Sequence, residues 1–245
     1  MKDNFSTKAD DYARYRPEYP DAVFEYLEHI LPRKENAWDC ATGNGQVAVR
    51  LASFFDQVYA TDISKSQLEH AHRHPNIQYS LQPAEKTGFP AGFFDLITVG
   101  QAIHWFDFER FYPEVKRTAR KNALLVILGY GRIQVNPNID QCIDELYTHI
   151  VGKYWDAERK YVEEGYRTIP FPFEELPVPV FHLSMDWTLG HLRGYLETWS
   201  AVKHYMRHHQ KNPVAIIYPK LKAGWGEQEK RTVNFPLLLR IGKIN

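Results

Sequence analysis

The sequence predicts an open, mostly parallel α/β sheet covered by helices on both faces. Three observations carry this reading. Between residues 36 and 130, short apolar runs alternate with helix-length segments, the cadence of strand–helix–strand crossover units. The run "NALLVILGY", residues 122–130, is apolar almost throughout, as strands buried on both faces are. Finally, "AWDCATGNGQ", residues 37–46, sets glycines and small polar residues between a strand and a helix, the edge at which open sheets receive ligands.

The elements follow in order. "DDYARYRPEYPDAVFEYLEHILP" opens aromatic and is broken by Pro17 and Pro20. Asp21 is then a candidate helix cap, with Val23, Leu27 and Ile30 on one stripe and Pro32 as the stop. Residues 36–40 make a short strand, and a helix over 46–54 has Val47, Leu51 and Phe54 in register. "QVYATD" is a second strand ending at Asp62. Ser64 and Gln67 form a capping-box pair opening a helix over 65–73. "NIQYSLQ" reads as a third strand and "FFDLITVG" as a fourth, from Phe94 to Val99. A helix over 111–121 carries Val115 and Ala119 and tolerates Pro113 only in its first turn. "NALLVILGY" is the fifth strand.

Beyond Tyr130 the character changes. Residues 138–165 read as polar helix, "TIPFPFEELPVPVF" as loop and "FHLSMDWT" as a strand. Thr188 can cap a helix with Leu192, Leu196 and Trp199 on one face, and Asn212 with Pro213 starts another. "RTVNFPLLLRIGKI" reads as a single strand closing the sheet.

Composition narrows the function. A chain of 245 residues buries roughly 70–75% of its unfolded surface, enough for one substantial core. Thirty basic and thirty acidic side chains cancel, so bulk charge gives no reason to expect nucleic acid or an anionic membrane. "KHYMRHHQK", residues 203–211, reads as a solvated helix face. Cys40 and Cys142 are too few for a disulfide framework, Cys40 reads as a small buried residue, and no Cys/His cluster has zinc spacing. No apolar run approaches the roughly 18 residues of a membrane span, and "MKDNFSTKAD" lacks a secretion signal's apolar stretch. A soluble, cytoplasmic protein without metal, membrane, nucleic-acid or obligate protein partner is expected.

A strand running into a glycine turn and then a helix offers backbone N–H groups to a polar ligand. Gly43 supplies a conformation that a Cβ would penalise, and Gly45 lets a ligand approach the helix start. Asp62, at the end of the second strand, can accept both hydroxyls of a ribose. The dinucleotide fingerprint G-x-G-x-x-G would want glycine where Ala48 stands. Asp39, before the glycines, repels a pyrophosphate but suits an ammonium group. No P-loop sequence occurs.

These motifs resemble those of the class I S-adenosylmethionine-dependent methyltransferases, in the branch of trans-aconitate methyltransferase-like, methyltransferase type 11 proteins. "WDCATGNGQ" is similar to the family's glycine-rich first motif and "ATDIS" to its acidic second-strand motif. "QPAEKTGFP" resembles the adenine-side loop, "FDLITVGQAIHWFD" the fourth strand with its following His-Trp, and "FSTKADDYARYRPEYP" the N-terminal signature. The likeness covers much of residues 5–130, with "YLETWS" a fainter echo; Ala41 stands where the commonest form has glycine.

The resemblance implies a Rossmann-like fold, a seven-stranded sheet in the order 3-2-1-4-5-7-6, the cofactor S-adenosyl-L-methionine, and methyl transfer to a small-molecule acceptor, a carboxylic acid among the candidates. It implies one methyltransferase domain over 1–245: an N-terminal cap and first helix (1–32), a cofactor-binding core (33–130), a substrate-side insertion (131–187), and closing helices with the final strand (188–245). By the same match, Asp39 orients the cofactor's amino acid end, while Ala41, Gly43 and Gly45 line its methionine portion. Asp62 holds the ribose, Ile63 lies against adenine, and Ala84 with Glu85 sits at the adenine edge. Gln101 lies near the sulfonium. If the N-terminal segment folds over the cleft, Tyr12 and Arg16 contact the cofactor and Tyr15 the acceptor, with Arg16 able to clamp either the methionyl or a substrate carboxylate.

His104 and Trp105 fall beside the transferable methyl group. An imidazole of ordinary pKa, about 6.5, serves as a base toward a hydroxyl, amine or carbon acceptor, or only orients a carboxylate; Trp105 excludes water. Tyr130 and Arg132, with Trp155, Arg167 and Trp187, are general candidates for the acceptor wall. Each residue also has a local use: Asp39 and Asp62 as turn acids, His104 as a core histidine. An NAD(P)-dependent oxidoreductase and an S-adenosylmethionine-binding protein without turnover are the alternatives.

Overall fold

Amphipathic repeats form the helices and continuous apolar runs the central strands of the computed structural model, which describes residues 14–245. Helix α1 (Asp21–Ile30) turns Val23, Phe24 and Leu27 inward. Pro20, not Asp21, is its N-cap residue. Proline's fixed φ and an extended ψ of 144° deliver the chain to the helix, so Asp21 falls inside the first turn and pairs with Arg50. There follow β1 (Asn36–Cys40), α2 (Gln46–Leu51), β2 (Gln57–Asp62), α3 (Lys65–Glu69), β3 (Ile77–Leu81) and β4 (Phe94–Gly100). Half of the expected capping box forms: the Ser64 side chain accepts from the Gln67 N–H to open α3, but the Ser64 N–H donates to Asp62 Oδ1 instead of to the Gln67 side chain. This helix stops short of residue 73 because other partners take the His72 backbone: its N–H donates to the Asn44 carbonyl and its carbonyl accepts from Tyr79.

Helix α4 (Phe108–Thr118) starts three residues earlier than the expected 111, placing Pro113 beyond the first turn. Pro113 and Glu109, whose carbonyl a proline cannot serve, are both exposed, which makes the position tolerable. Ala119 is extended (ψ 141°) and begins β5 (Ala119–Tyr130), so the helix ends before it.

The second half contributes α5 (Pro137–Asp144), a π-helical turn over Glu145–Ile150, a 3-10 turn over Gly152–Tyr154, α6 (Arg159–Glu163) and β6 (Glu174–Glu175). Then come β7 (Leu183–Trp187), α7 (Leu189–Glu197), α8 (Ser200–His209), α9 (Val214–Trp225), β8 (Arg231–Phe235) and β9 (Leu237–Lys243). Thr188 caps α7 by accepting from the His191 N–H.

The main sheet has seven strands in the order β3-β2-β1-β4-β5-β9-β6. Counted in chain order within this sheet, that is the expected 3-2-1-4-5-7-6. Strands β1 to β5 pair in parallel, and β9 runs antiparallel to both β5 and β6. The last segment is not one strand: Pro236 interrupts it, so β8 pairs with β7 in a separate two-stranded sheet while β9 closes the main one, consistent with proline's missing N–H.

Alternate side chains of the sheet face two apolar layers. Ala37, Val58, Leu96 and Val126 meet α1 and α2 on one side; Trp38, Ile97, Val99 and Ile127 meet Phe111 and Val115 of α4 on the other. A third cluster, centred on Leu146, Leu196, Trp199 and Ile217, joins α5 to α9 over the carboxyl ends of the strands through Tyr130 and Phe235. Among the described residues no helix is long and apolar enough to cross a membrane.

Candidate active site

Parallel strands put their carboxyl ends on one edge, and the order reverses between β1 and β4, where a crevice opens. The crevice is a cleft of about 830 Å³ including its mouth. Arg16, Asp39, Ala41, Gly43, Asp62, Ile63, Gln101, Trp105 and Tyr130 line it, together with Thr42 and Asn44, which carry no mark in the sequence, and Gln67, read there only as a helix cap.

The turn after β1 is left-handed at Ala41 (φ 54°), Gly43 (φ 58°) and Gly45 (φ 87°). At Ala41 an L-residue bears a cost of about 1 kcal/mol that glycine would avoid. Gly45 has a different use from the one expected. It is the N-cap of α2, lies outside the cleft lining, and has no room for a Cβ because the Tyr79 hydroxyl occupies that space.

Two acids organise the cleft. Asp39 is 1% exposed and accepts from Thr42 Oγ1 at 2.5 Å and Thr98 Oγ1 at 2.8 Å. Burial pushes its pKa up to about 6 against the opposing hydroxyl bonds, with the Asp62 charge adding to the rise. Asp62 accepts from the Gly43 N–H at 2.9 Å through Oδ2 and from the Ser64 N–H at 2.8 Å through Oδ1. It thus ties the turn after β1 to the turn after β2. Nearby, Asn44 Nδ2 is a buried donor with no acceptor among the described residues.

Gln101, the residue after β4, is left-handed (φ 51°), a strained state for a non-glycine residue that neighbours must hold. Its amide clasps the end of β5: Oε1 accepts from the Tyr130 N–H at 2.8 Å and Nε2 donates to the Tyr130 carbonyl at 3.2 Å. Arg16 crosses the same wall, donating to the Tyr130 hydroxyl at 3.2 Å and to the Thr198 carbonyl at 3.3 Å.

Beyond this wall lies a second cavity of about 450 Å³, sharing Arg16, Gln101 and Trp105 with the cleft. His104, Trp155, Asp156, Arg159, Trp199 and Ser200 complete it. His104 sits on a 3-10 turn (Ile103–Trp105) and is 6% exposed. Its Nδ1 is 3.1 Å from the Tyr166 hydroxyl. Burial, then the Arg159 and Arg16 charges, push its pKa down to about 3. The expected imidazole of ordinary basicity is therefore corrected: His104 is neutral at physiological pH and a poor base.

Other expected contacts fall elsewhere. Ala84 is buried in the core, and Glu85 turns away to accept from the N–H of Asp107, which caps α4; neither lines the cleft. Tyr15 packs over Gly194 and edge-on to His191, outside both cavities. Arg132 is exposed, pairs with Asp144 at 2.6 Å and, with Arg167, lines a groove that shares Trp155 and Arg159 with the second cavity but not the cofactor cleft. Trp187 is in the core. Tyr12 lies outside the described residues.

Fold and cleft define an α/β protein whose ligand cleft opens at the carboxyl edge of its sheet. A family model described as "Methyltransferase domain" matches residues 38–127. A Dictyostelium discoideum protein assigned as a methyltransferase is 33% identical over 249 residues, covering 98% of this chain and 95% of the relative. A structure assigned as a type II methyltransferase from Anaeromyxobacter dehalogenans superposes with a TM-score of 0.86 at 41% identity, covering 94% of this chain and 98% of the other. The malonyl-[acyl-carrier protein] O-methyltransferase of Legionella pneumophila is 28% identical over 140 residues, 52% of this chain and 48% of that protein.

The chain belongs to the class I S-adenosylmethionine-dependent methyltransferases, in the type 11 branch. It is an enzyme that uses S-adenosylmethionine for methyl transfer to a small molecule. The cleft fits this cofactor: its two acids suit a cationic ligand with ribose hydroxyls, and Asn44 offers a buried donor lacking an acceptor.

The raised pKa of Asp39 gives a pH prediction. Its charge is present above about 6 and lost below, so S-adenosylhomocysteine, whose amino acid end is an ammonium, should bind about tenfold more weakly as pH falls through that value. The stability effect has the opposite sign. A folded pKa raised from 3.8 to about 6 means that Asp39 favours the folded state at low pH, and this contribution disappears as pH rises through 6. Calorimetric titration across this range should therefore show affinity falling on acidification without Asp39 itself promoting unfolding. A flat profile would remove Asp39 from the binding electrostatics.

Proposed function

We propose that the enzyme methylates a carboxylate oxygen of a small acid, giving a methyl ester. One observation carries the reading: the second cavity has no effective neutral-pH base on His104, yet presents two guanidinium groups, Arg16 and Arg159. An amine, hydroxyl or carbon acceptor would need a proton removed. A carboxylate is already ionised and matches guanidinium geometry. Asp156, 3.9 Å from His204 Nδ1, offsets part of the positive potential. The O-methyltransferase activity in the Legionella relative's name supports the same chemistry.

S-adenosylmethionine supplies the electrophilic methyl carbon when bound. On this reading Asp39, Gly43, Asn44 and Asp62 hold the cofactor, while Ala41, Ile63 and Gln101 line its path. Arg159 and Arg16 orient the acceptor, and Trp105, Trp155 and Trp199 exclude water. The acceptor wall comes from both later segments, 131–187 and 188–245, as Trp155, Arg159 and Trp199 illustrate. The test is a methyl-transfer screen of small acids, alcohols and amines read by mass spectrometry. Methyl esters are expected, and kcat measured at saturating S-adenosylmethionine, where the titration of Asp39 no longer limits binding, should show no limb near the ordinary histidine value of 6.5. Turnover of amines or alcohols alone, with such a limb, would overturn the proposal.

A further inference from the structure

Tyr166 carries no mark in the sequence, yet several elements of the fold converge on it. It is fully buried and left-handed (φ 60°), a conformation that a bulky aromatic residue keeps only when its surroundings hold it. Arg240 on β9 donates through Nη1 to the carbonyls of Tyr166 and Ile169, each at 3.0 Å. The other nitrogens of Arg240 grip the Glu175 carboxylate on β6 at 2.8 Å. The Tyr166 ring lies over Gly129 of β5, where a Cβ would come within 2.5 Å of it. Its hydroxyl meets His104 Nδ1 at 3.1 Å, and the two rings stack 5.9 Å apart.

The other imidazole nitrogen is placed differently. Nε2 makes no hydrogen bond among the described residues and is not sealed from solvent, while His104 lines the second cavity. A neutral imidazole has one N–H and one lone pair, so the partner of one nitrogen decides what the other offers. A phenol keeps its proton at neutral pH, its ordinary pKa being about 10, and can donate it to Nδ1.

We propose that Tyr166 is a positioning residue whose hydroxyl donates to His104 Nδ1, fixing the tautomer with hydrogen on Nε2, so that His104 presents a hydrogen-bond donor to the acceptor carboxylate. The last clause rests on the acid reading of the second cavity. Burial and the two arginines hold the imidazole neutral, which makes it a neutral donor. The opposite tautomer would face the carboxylate with a lone pair. A strained backbone at Tyr166 is thus tied, through Arg240 and Glu175, to the sheet's edge strand, and fixes a proton on Nε2 of His104.

Long-range proton–nitrogen NMR of histidine-labelled protein tests this without any acceptor, with the His104 signals assigned by their loss in His104→Gln. The Nε2–H tautomer is expected at neutral pH. In Tyr166→Phe, which keeps the ring and removes the hydroxyl, the two nitrogens should move toward a mixture of tautomers. The acid KM should then rise about five- to tenfold, as for one lost hydrogen bond, with S-adenosylhomocysteine affinity unchanged. Hydrogen on Nδ1 in the unmodified protein would overturn the proposal, whether or not Tyr166→Phe folds; so would a Tyr166→Phe spectrum identical to the parent's. If Nε2 carries the hydrogen but no acid is methylated, the positioning assignment is supported and the acid reading fails by itself.

Discussion

Arg159→Met should reduce kcat/KM for an acid acceptor by about 30- to 150-fold while leaving S-adenosylhomocysteine binding unchanged. The size follows from removing one partner of a partly desolvated charge pair, about 2–3 kcal/mol at a half-buried site. Arg159 is held for this role. Its Nε donates to the Tyr147 hydroxyl at 3.0 Å, its guanidinium lies 4.8 Å from the Trp155 ring centroid, and no ion pair engages it among the described residues. Arg159→Lys keeps the charge but loses the planar fork, so it should recover only part of the activity. Because Arg159 depresses the His104 pKa, Arg159→Met should also raise it, with burial still keeping it below the ordinary value. Steady-state kinetics beside calorimetry separate these effects. Unchanged kinetics with acids would place the acceptor elsewhere.

Asp62→Ala is expected to weaken S-adenosylhomocysteine binding by about 100-fold and to cost about 1–3 kcal/mol of stability. The two losses have different origins. Stability falls because the N–H groups of Gly43 and Ser64 lose their acceptor; affinity falls because the ribose hydroxyls lose theirs and the glycine turn loses its anchor. Asp62→Asn, retaining one carbonyl oxygen, should lie between the parent and Asp62→Ala in both. Calorimetry and thermal denaturation make the comparison. Affinity within twofold of the parent would leave Asp62 as a turn clamp alone.

The central strands were legible because burial on two faces writes itself into local composition: Asn36–Cys40 and Gln57–Asp62 fall where the apolar runs put them. The caps at Ser64 and Thr188 were legible because their chemistry is local. By contrast, Glu174–Glu175 has no strand signature; it pairs because β9 presents an edge to it. The break at Pro236 had a visible cause, but not a visible destination for β8. Within the site, residues that end or directly follow strands, such as Asp62 and Gln101, are placed by the sheet itself. Glu85 sits on a loop and was drawn to the start of α4 instead. Arg159 reaches the second cavity, and Tyr166 the imidazole of His104, only through contacts between distant segments, and the basicity of His104 depends on its burial and on Arg159 and Arg16.

The amide clasp between Gln101 and Tyr130 separates two kinds of change open to this chain. It repeats the hydrogen-bonding pattern of a peptide group just past the last rung of β4 and β5, so the partition between the compartments is part of the frame. The opposite side of the second cavity is assembled from short helices and turns around Trp155 and Trp199. Those segments can change in sequence and length without touching either hydrogen bond of the clasp.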